Sequence, residues 1–284
     1  MTESGPKTVG LIGWPVEHSA SPAMHNAAFE RLGLDWLYVL LPAEPGNLQA
    51  VVDALRQEPF RGANVTVPHK QAIMAYLDGV TEAVRGIGAV NTIIADRGRL
   101  TGHNTDGDGF LAALREAGFE PAGRQALVLG AGGAARSVVC ALASEGCAVT
   151  IHNRSIARAR QLVEEMQHLG LEGPITWVQG EVGLARLDLG AFELLVNATS
   201  AGMWPRTDAS PWPGGLVLPS HWTVFDLVYN PAETRLLARA RSAGAKAVGG
   251  LEMLVHQGAL AFALWTGQDA PVEVMRAAAR QAIE

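Results

Sequence analysis

Four sets of side chains in this chain have types and spacing suited to chemistry. A lone lysine, Lys70, closes the stretch "GANVTVPHK". There Asn64-Val65-Thr66-Val67 alternates polar with β-branched residues as a half-buried strand does, and Pro68 ends the ladder. A carboxylate, Asp106, ends the polar run "GHNTD". Gly130, Gly132 and Gly133 lie in "ALVLGAGGAARSVVCAL", between a strand-like and a helix-like run. Arg154 and Arg158 follow the next strand-like run in "HNRSIARAR". Singly, each has a plain structural reading: a solvated lysine, a helix N-cap, turn glycines and a charged helix face. Lying at the ends of successive strands, they become candidate sites.

The glycines specify their ligand most closely. Between a strand and a helix, a tight glycine turn lets the first helical amides approach and hold a pyrophosphate. The spacing is G-x-G-G-x-A rather than G-x-G-x-x-G, and Ala135 is small enough at the last position for close helix packing. The expected cradle is Gly130, Ala131, Gly132, Gly133, Ala134 and Ala135. About 20 residues further on, a site for NAD normally carries an acid for the ribose 2′-hydroxyl. Asn153 and Arg154 stand there instead. A carboxylate would repel a 2′-phosphate, whereas a guanidinium fork binds one, and Arg158 lies one turn beyond. The expected cofactor is NADP. Moving a hydride requires a proton to be moved at the substrate oxygen. Lys70 and Asp106, with hydroxyl and amide residues at several other strand ends, are the candidates for a polar pocket that does this.

Alternating strands and helices must position these groups. "KTVGLIG", "LDWLYVLL" and "GANVTVP" read as strands. Between them lie the helices "AMHNAAFERLG", with Ser21 as its N-cap and Pro22 at its first position, and "NLQAVVDALRQ". "AVNTIIADRGRLTGHNTD" reads as a β-hairpin turning at Arg97-Gly98, followed by the helix "DGFLAALREAG". From Arg124 the alternation restarts through "QALVLG", "CAVTIHN", "ELLVNAT", "TVFDLV" and "AKAVGG". Apolar strands separated by helices imply a parallel sheet covered on both faces, so the expected fold class is α/β in two domains. The last two helices, in "LEMLVHQGALAFALWTG" and "PVEVMRAAARQAI", have no strand behind them, and periodicity leaves open which domain they join.

Composition excludes other classes. With 48% hydrophobic and 18% charged residues the chain is that of a folded globular protein. Its net charge of −6 provides no basic face for a phosphate backbone, so no nucleic acid partner is expected. "MTESGPKTVG" lacks the pattern of a signal peptide, and Met253 to Gln268, free of Asp, Glu, Lys and Arg, spans only 16 residues and contains His256 and Gln257. A soluble cytoplasmic protein without membrane contact is expected. Cys140 and Cys147 cannot form a disulfide framework, and no Cys/His cluster has metal-ligand spacing, so no metal is expected.

In one order the chain also contains "GWPVEHSASPAMHN", "GANVTVPHK", "IGAVNT", "GHNTDGDG", "GAGGAARS", "NRS", "NATSAGM", "FDLVYNPAETRLL" and "GGLEMLVHQGALAFALWTG". Through these motifs it resembles the shikimate dehydrogenase family nearly end to end. The resemblance implies an N-terminal α/β substrate domain, 1–106 plus 250–284, to which the C-terminal helices return. It implies a Rossmann-type NADP-binding domain over 107–249 and an active site in the cleft between the two. The reaction implied is reversible NADP-dependent oxidation of the 3-hydroxyl of shikimate to 3-dehydroshikimate.

By the same resemblance, Ser19 and Ser21 hold the substrate carboxylate with Tyr229 nearby, and Thr66, Asn91 and Gln257 bond the ring hydroxyls. Lys70 and Asp106 form the catalytic pair, a coupled ammonium and carboxylate in which Lys70 is given the proton-transfer role and Asp106 the orienting one. Asn153, Arg154, Ser155 and Arg158 join the glycine cradle on the cofactor, Leu227 and Gly250 line the nicotinamide, Thr199 opens a loop on that side, and Glu82 lies near the cofactor. Ser155 and Leu227 stand where the family usually has threonine and often methionine. His18, His25 and His69 are expected to buttress loops or cap helices. Relatives occur as monomers and homodimers. A quinate/shikimate or aminoshikimate dehydrogenase is the neighbouring alternative. A ligand-sensing relative without turnover would be free to lose Lys70 or Asp106, and this chain has both.

Overall fold

A computed structural model describes residues 5–283. They form two six-stranded sheets in two compact units. One unit runs to Gly109 and resumes over Leu254–Ala282; the other spans Phe110–Met253.

The first unit contains β1 (Lys7–Gly13), α1 (Ser21–Arg31), β2 (Trp36–Pro42), α2 (Leu48–Ala54), β3 (Phe60–Val65), β4 (Gly79–Val80), α3 (Glu82–Ile87), β5 (Thr92–Asp96) and β6 (Arg99–His103). Next comes α4 (Asp106–Glu116), within which the units divide. The strand order is β2-β1-β3-β5-β6-β4. β1 runs parallel to both its neighbours, and β5 is antiparallel to β3 and β6. The C-terminal ends of β1, β3 and β6 therefore share one sheet edge with the N-terminal end of β5. Ser19, Thr66, Asn91 and Asp106 all stand just beyond that edge in sequence. The hairpin turns at Arg97 (φ 49°) and Gly98 (φ 78°), a two-residue turn whose positive φ angles match the strand twist. Ile12, Val52, Ala63, Val65, Ile93 and Leu100 pack into this unit's core.

Two local expectations are corrected here. β3 ends at Val65, with Asn64 and Val65 both buried and Val67 51% exposed. As an interior strand between β1 and β5, it has both faces covered, so its polar residue points into the protein rather than to water. Ser21 is the first residue of α1 rather than its N-cap; Ala20 takes the cap position, and the Ser19 hydroxyl accepts from the Ser21 amide at 3.2 Å. Pro22 does lie in the first turn.

The second unit contains β7 (Gln125–Leu129), α5 (Gly133–Ser144), β8 (Ala148–His152), α6 (Ile156–Met166), β9 (Ile175–Val178), α7 (Gly180–Ala185), β10 (Leu194–Asn197), β11 (Thr223–Asp226), α8 (Arg235–Ser242) and β12 (Lys246–Val248). Its sheet is parallel throughout, ordered β12-β11-β10-β7-β8-β9. That is the doubly wound Rossmann order, with its direction reversing between β7 and β10. Leu127, Val128, Leu195 and Val196 on those two strands are wholly buried, as an apolar run in a twice-covered strand requires. α9 (Leu251–Thr266) and α10 (Val272–Ile283) end the described chain, and from Leu254 to Ala282 they belong to the first unit. Among the described residues no helix is long and apolar enough to cross a membrane.

Candidate active site

Lys70 is delivered by an anchored turn. After β3 the Thr66 amide still bonds Ile12 O, and the His69 amide closes back on Thr66 O. The buried His69 ring then donates from Nε2 to the Ala43 carbonyl at 2.7 Å, since a carbonyl can only accept. The Val90 amide bonds the Lys70 carbonyl at 2.7 Å. His69 thus buttresses a loop, as expected. Asp106 is held with similar care at the start of α4: the Asn104 side chain accepts from the Asp106 amide and donates to Ala89 O. Acidic residues in a first helical turn also suit the helix dipole.

The two side chains meet. Lys70 Nζ donates to Asp106 Oδ2 at 2.5 Å, the side chains 13% and 4% exposed. The other carboxylate oxygen accepts from Asn91 Nδ2 at 2.9 Å, and the same amide reaches Thr105 Oγ1 and Gln257 Oε1. Gln257 comes from α9, which approaches closely because Gly109 on α4 has no side chain; a Cβ there would lie 2.6 Å from Gln257. Lys70, Asp106, Asn91 and Gln257 thus form one buried or half-buried cluster. Ser19, Ser21 and Thr66 follow the ends of β1 and β3, and the Thr66 methyl fills the space left by Gly13. Tyr229, half-buried after β11, stands in the second unit.

In the second unit Gly130 adopts φ +120°, and a Cβ there would stand 2.9 Å from the Ala198 carbonyl and 3.2 Å from Thr199. The turn after β7 and the loop after β10 therefore touch at the switch point, where ligands of such sheets bind. Gly132 precedes α5 without capping it by a side chain, and a Cβ there would meet nothing within 4 Å. Open space before uncapped helical amides suits a pyrophosphate. Ala135, fully buried, lets the helix pack. After β8, Asn153 bonds Ser155 O, and the Ser155 hydroxyl caps α6 by accepting from the Arg158 amide. Arg154 and Arg158 are exposed, and neither makes an ion pair among the described residues. These residues fit NADP. Glu82 is exposed at the start of α3, in the first unit, whereas the other cofactor candidates stand in the second.

Residues 11–93 match the family described as shikimate dehydrogenase substrate binding domain, and residues 113–173 that described as shikimate / quinate 5-dehydrogenase. Residues 250–280 match the shikimate 5′-dehydrogenase C-terminal domain. The shikimate dehydrogenase (NADP(+)) of Moorella thermoacetica is 50% identical over 97% of this chain and 93% of its own. The chain belongs to the shikimate dehydrogenase family. Among solved structures of that family, the Thermus thermophilus enzyme in complex with NADP(H) and shikimate is 43% identical, with a TM-score of 0.83 over 97% of this chain and 99% of its own. The Corynebacterium glutamicum quinate dehydrogenase in complex with NAD is 32% identical, with a TM-score of 0.86 over 98% and 99%.

Residues the sequence reading passed over brace the second unit around Thr199, Leu227 and Gly250. Asn197 and Asp226, both wholly buried, end β10 and β11. Asn197 donates to Asp226 Oδ1 at 2.8 Å and accepts from the amide and hydroxyl of Thr199. Asp226 also accepts from the Val228 amide and from the Thr234 hydroxyl at 2.7 Å. Burial pushes its carboxyl up to about 6, against the pull of those three bonds. Leu227 follows directly, its amide bonded to Asn197 O, and Gly250 lies so close to the Leu227 carbonyl that no side chain would fit. The available signal was a polar residue ending an otherwise apolar strand, in "LLVN" and "TVFD".

Proposed function

We infer that this chain is an NADP-dependent shikimate dehydrogenase, reversibly oxidising the 3-hydroxyl of shikimate to 3-dehydroshikimate. The observation that supports this best is the Lys70–Asp106 contact, buried among Asn91 and Gln257 in a chain half identical to an NADP(+) enzyme of that name. In this reading residues 1–106 with 250–284 bind the substrate and 107–249 the cofactor. Ser19 and Ser21, with Tyr229, hold the carboxylate; Thr66, Asn91 and Gln257 orient the ring hydroxyls.

NADP, when bound, supplies the hydride chemistry. The glycine turn from Gly130 to Ala135 holds its pyrophosphate, and Asn153, Arg154, Ser155 and Arg158 receive its 2′-phosphate. Thr199, Leu227 and Gly250 line its reactive end, with Glu82 assigned nearby. In the reducing direction the Lys70 ammonium gives a proton to the oxygen of the developing alkoxide; in the oxidising direction the hydroxyl proton returns to the Lys70 nitrogen. Asp106 holds that nitrogen in place, and the two act as a unit. The reading includes a cytoplasmic location and a monomer or homodimer without nucleic acid partners. Mass analysis of shikimate incubated with the protein and NADP⁺ tests the chemistry: a product lighter by two hydrogens is expected, and unchanged shikimate overturns the assignment.

A further inference from the structure

We propose that Tyr38 is a remote positioning residue for this reaction, its phenol heading a one-way chain of hydrogen-bond donors that ends on the Asp106 carboxylate. The inference rests on the dehydrogenase reading of the Lys70–Asp106 pair. Tyr38 Oη donates to Asn64 Oδ1 at 2.9 Å, and Asn64 Nδ2 to Thr92 Oγ1 at 3.1 Å. Thr92 Oγ1 donates to Asn91 Oδ1 at 3.0 Å, and Asn91 Nδ2 to Asp106 Oδ1 at 2.9 Å. The phenol lies on β2, so the chain crosses the line of β1 and passes from β3 to β5 before reaching α4.

Its direction is fixed by backbone groups, which cannot change roles. The Thr105 amide donates to Asn91 Oδ1 at 2.8 Å, so that atom is an acceptor and Thr92 must donate to it. The Asn91 carbonyl accepts from Asn64 Nδ2 at 3.1 Å, so Asn64 turns its nitrogen to Thr92 and its oxygen to the phenol. Every donor therefore points toward Asp106. All five residues are buried, where a satisfied polar network is stiff and an unsatisfied member costly. The outcome is a division of labour on one carboxylate: Oδ1 belongs to Asn91 and Oδ2 is left for Lys70.

The phenol itself is held from two neighbouring positions on α1. Asn26 brackets the Tyr38 peptide, accepting from its amide at 2.7 Å and donating to its carbonyl at 3.1 Å. His25 stacks on the ring with centroids 4.5 Å apart and planes at 2°. The His25 ring nitrogens are buried with no hydrogen-bond partner among the described residues, and burial pushes the imidazole down to about 3, so it acts as a neutral plate. It thus serves neither as a cap nor as a loop hydrogen bonder. Phenylalanine could fill the same stack; only the hydroxyl makes Tyr38 the head of the chain.

Tyr38→Phe is expected to lower kcat about 3- to 10-fold, the scale of one positioning hydrogen bond, with KM moving less. Its kcat–pH profile should differ from the parent's, a readout that a packing defect alone would not move. Thr92→Val does the same, Thr92→Ser recovers most of the loss, and Tyr38→Phe adds little in the Thr92→Val background because the chain is already cut. Tyr38→Phe with a lowered melting temperature but kcat within about 1.5-fold of the parent and an unmoved pH profile would make the phenol a packing group and overturn the proposal. Should Tyr38→Phe not fold, matching kcat and pH profiles for Thr92→Val and Thr92→Ser overturn it equally. A parent protein that fails to oxidise shikimate withdraws both readings, whereas an active parent with unaffected variants overturns the chain alone.

Discussion

Lys70 Nζ lies 2.5 Å from Asp106 Oδ2, and Asn91 occupies the opposite oxygen of the same carboxylate at 2.9 Å. A cation with one fixed partner and 13% of its side chain exposed is aimed rather than solvated. Lys70→Ala is expected to lower kcat by roughly 10²- to 10⁴-fold with a small change in KM, because its interaction is made with the transition state. Asp106→Asn should lower kcat too, and the double variant should be little worse than Lys70→Ala, since the two act as a unit. Steady-state kinetics check both; kcat for Lys70→Ala within about threefold of the parent would remove Lys70 from the mechanism.

Arg154 is exposed after β8 with no ion pair among the described residues, so its charge is available to a 2′-phosphate. Arg154→Ala should weaken NADP by roughly 10- to 100-fold, less at high salt, while NAD changes little. Paired titrations with both cofactors decide; equal loss for both would make Arg154 structural.

The cradle glycines should separate folding from binding. Gly130→Ala places a Cβ at φ +120° against the Ala198 carbonyl and should cost about 1–3 kcal/mol of stability or more. Gly132→Ala meets no protein atom within 4 Å, so it should fold normally and lose cofactor affinity. Melting temperatures and NADP titration on both variants check this; unchanged NADP affinity in Gly132→Ala would remove that position from the pyrophosphate site.

Much of this was legible in sequence where side-chain type and strand end coincide. The hairpin turn at Arg97-Gly98 and the glycine turn rest on local chemistry, whereas the pairing of Lys70 with Asp106, 36 residues apart, came from the family resemblance. Strand β9 and helix α7 were not legible, because a four-residue edge strand carries too little periodicity to separate from a loop. Asn64 looked like the polar face of a half-exposed strand; only pairing on both sides of β3 buries it. Tyr38, Thr92 and Thr105 read as ordinary strand or loop residues, since their roles depend on partners far away in sequence.

Asp226 predicts a stability effect with a definite sign. Burial holds its carboxyl protonated up to about 6, above the ordinary 3.8 of the unfolded chain. Between those values the unfolded state binds fewer protons, so stability falls as pH rises through the window, by up to about 3 kcal/mol in total. Asp226→Asn keeps the shape and should remove this contribution. Urea unfolding at one pH inside the window and one above it checks the point: the parent should lose more stability between them than the variant, and identical losses would contradict it.

The central claim is tested most directly by initial rates of nicotinamide reduction with the purified protein, crossing shikimate and quinate with NADP⁺ and NAD⁺. The account predicts turnover confined largely to shikimate with NADP⁺. Comparable rates with quinate or NAD⁺ would contradict the assignments of substrate and of Arg154, and no turnover in any combination, from protein that still binds NADPH, would contradict the enzyme itself.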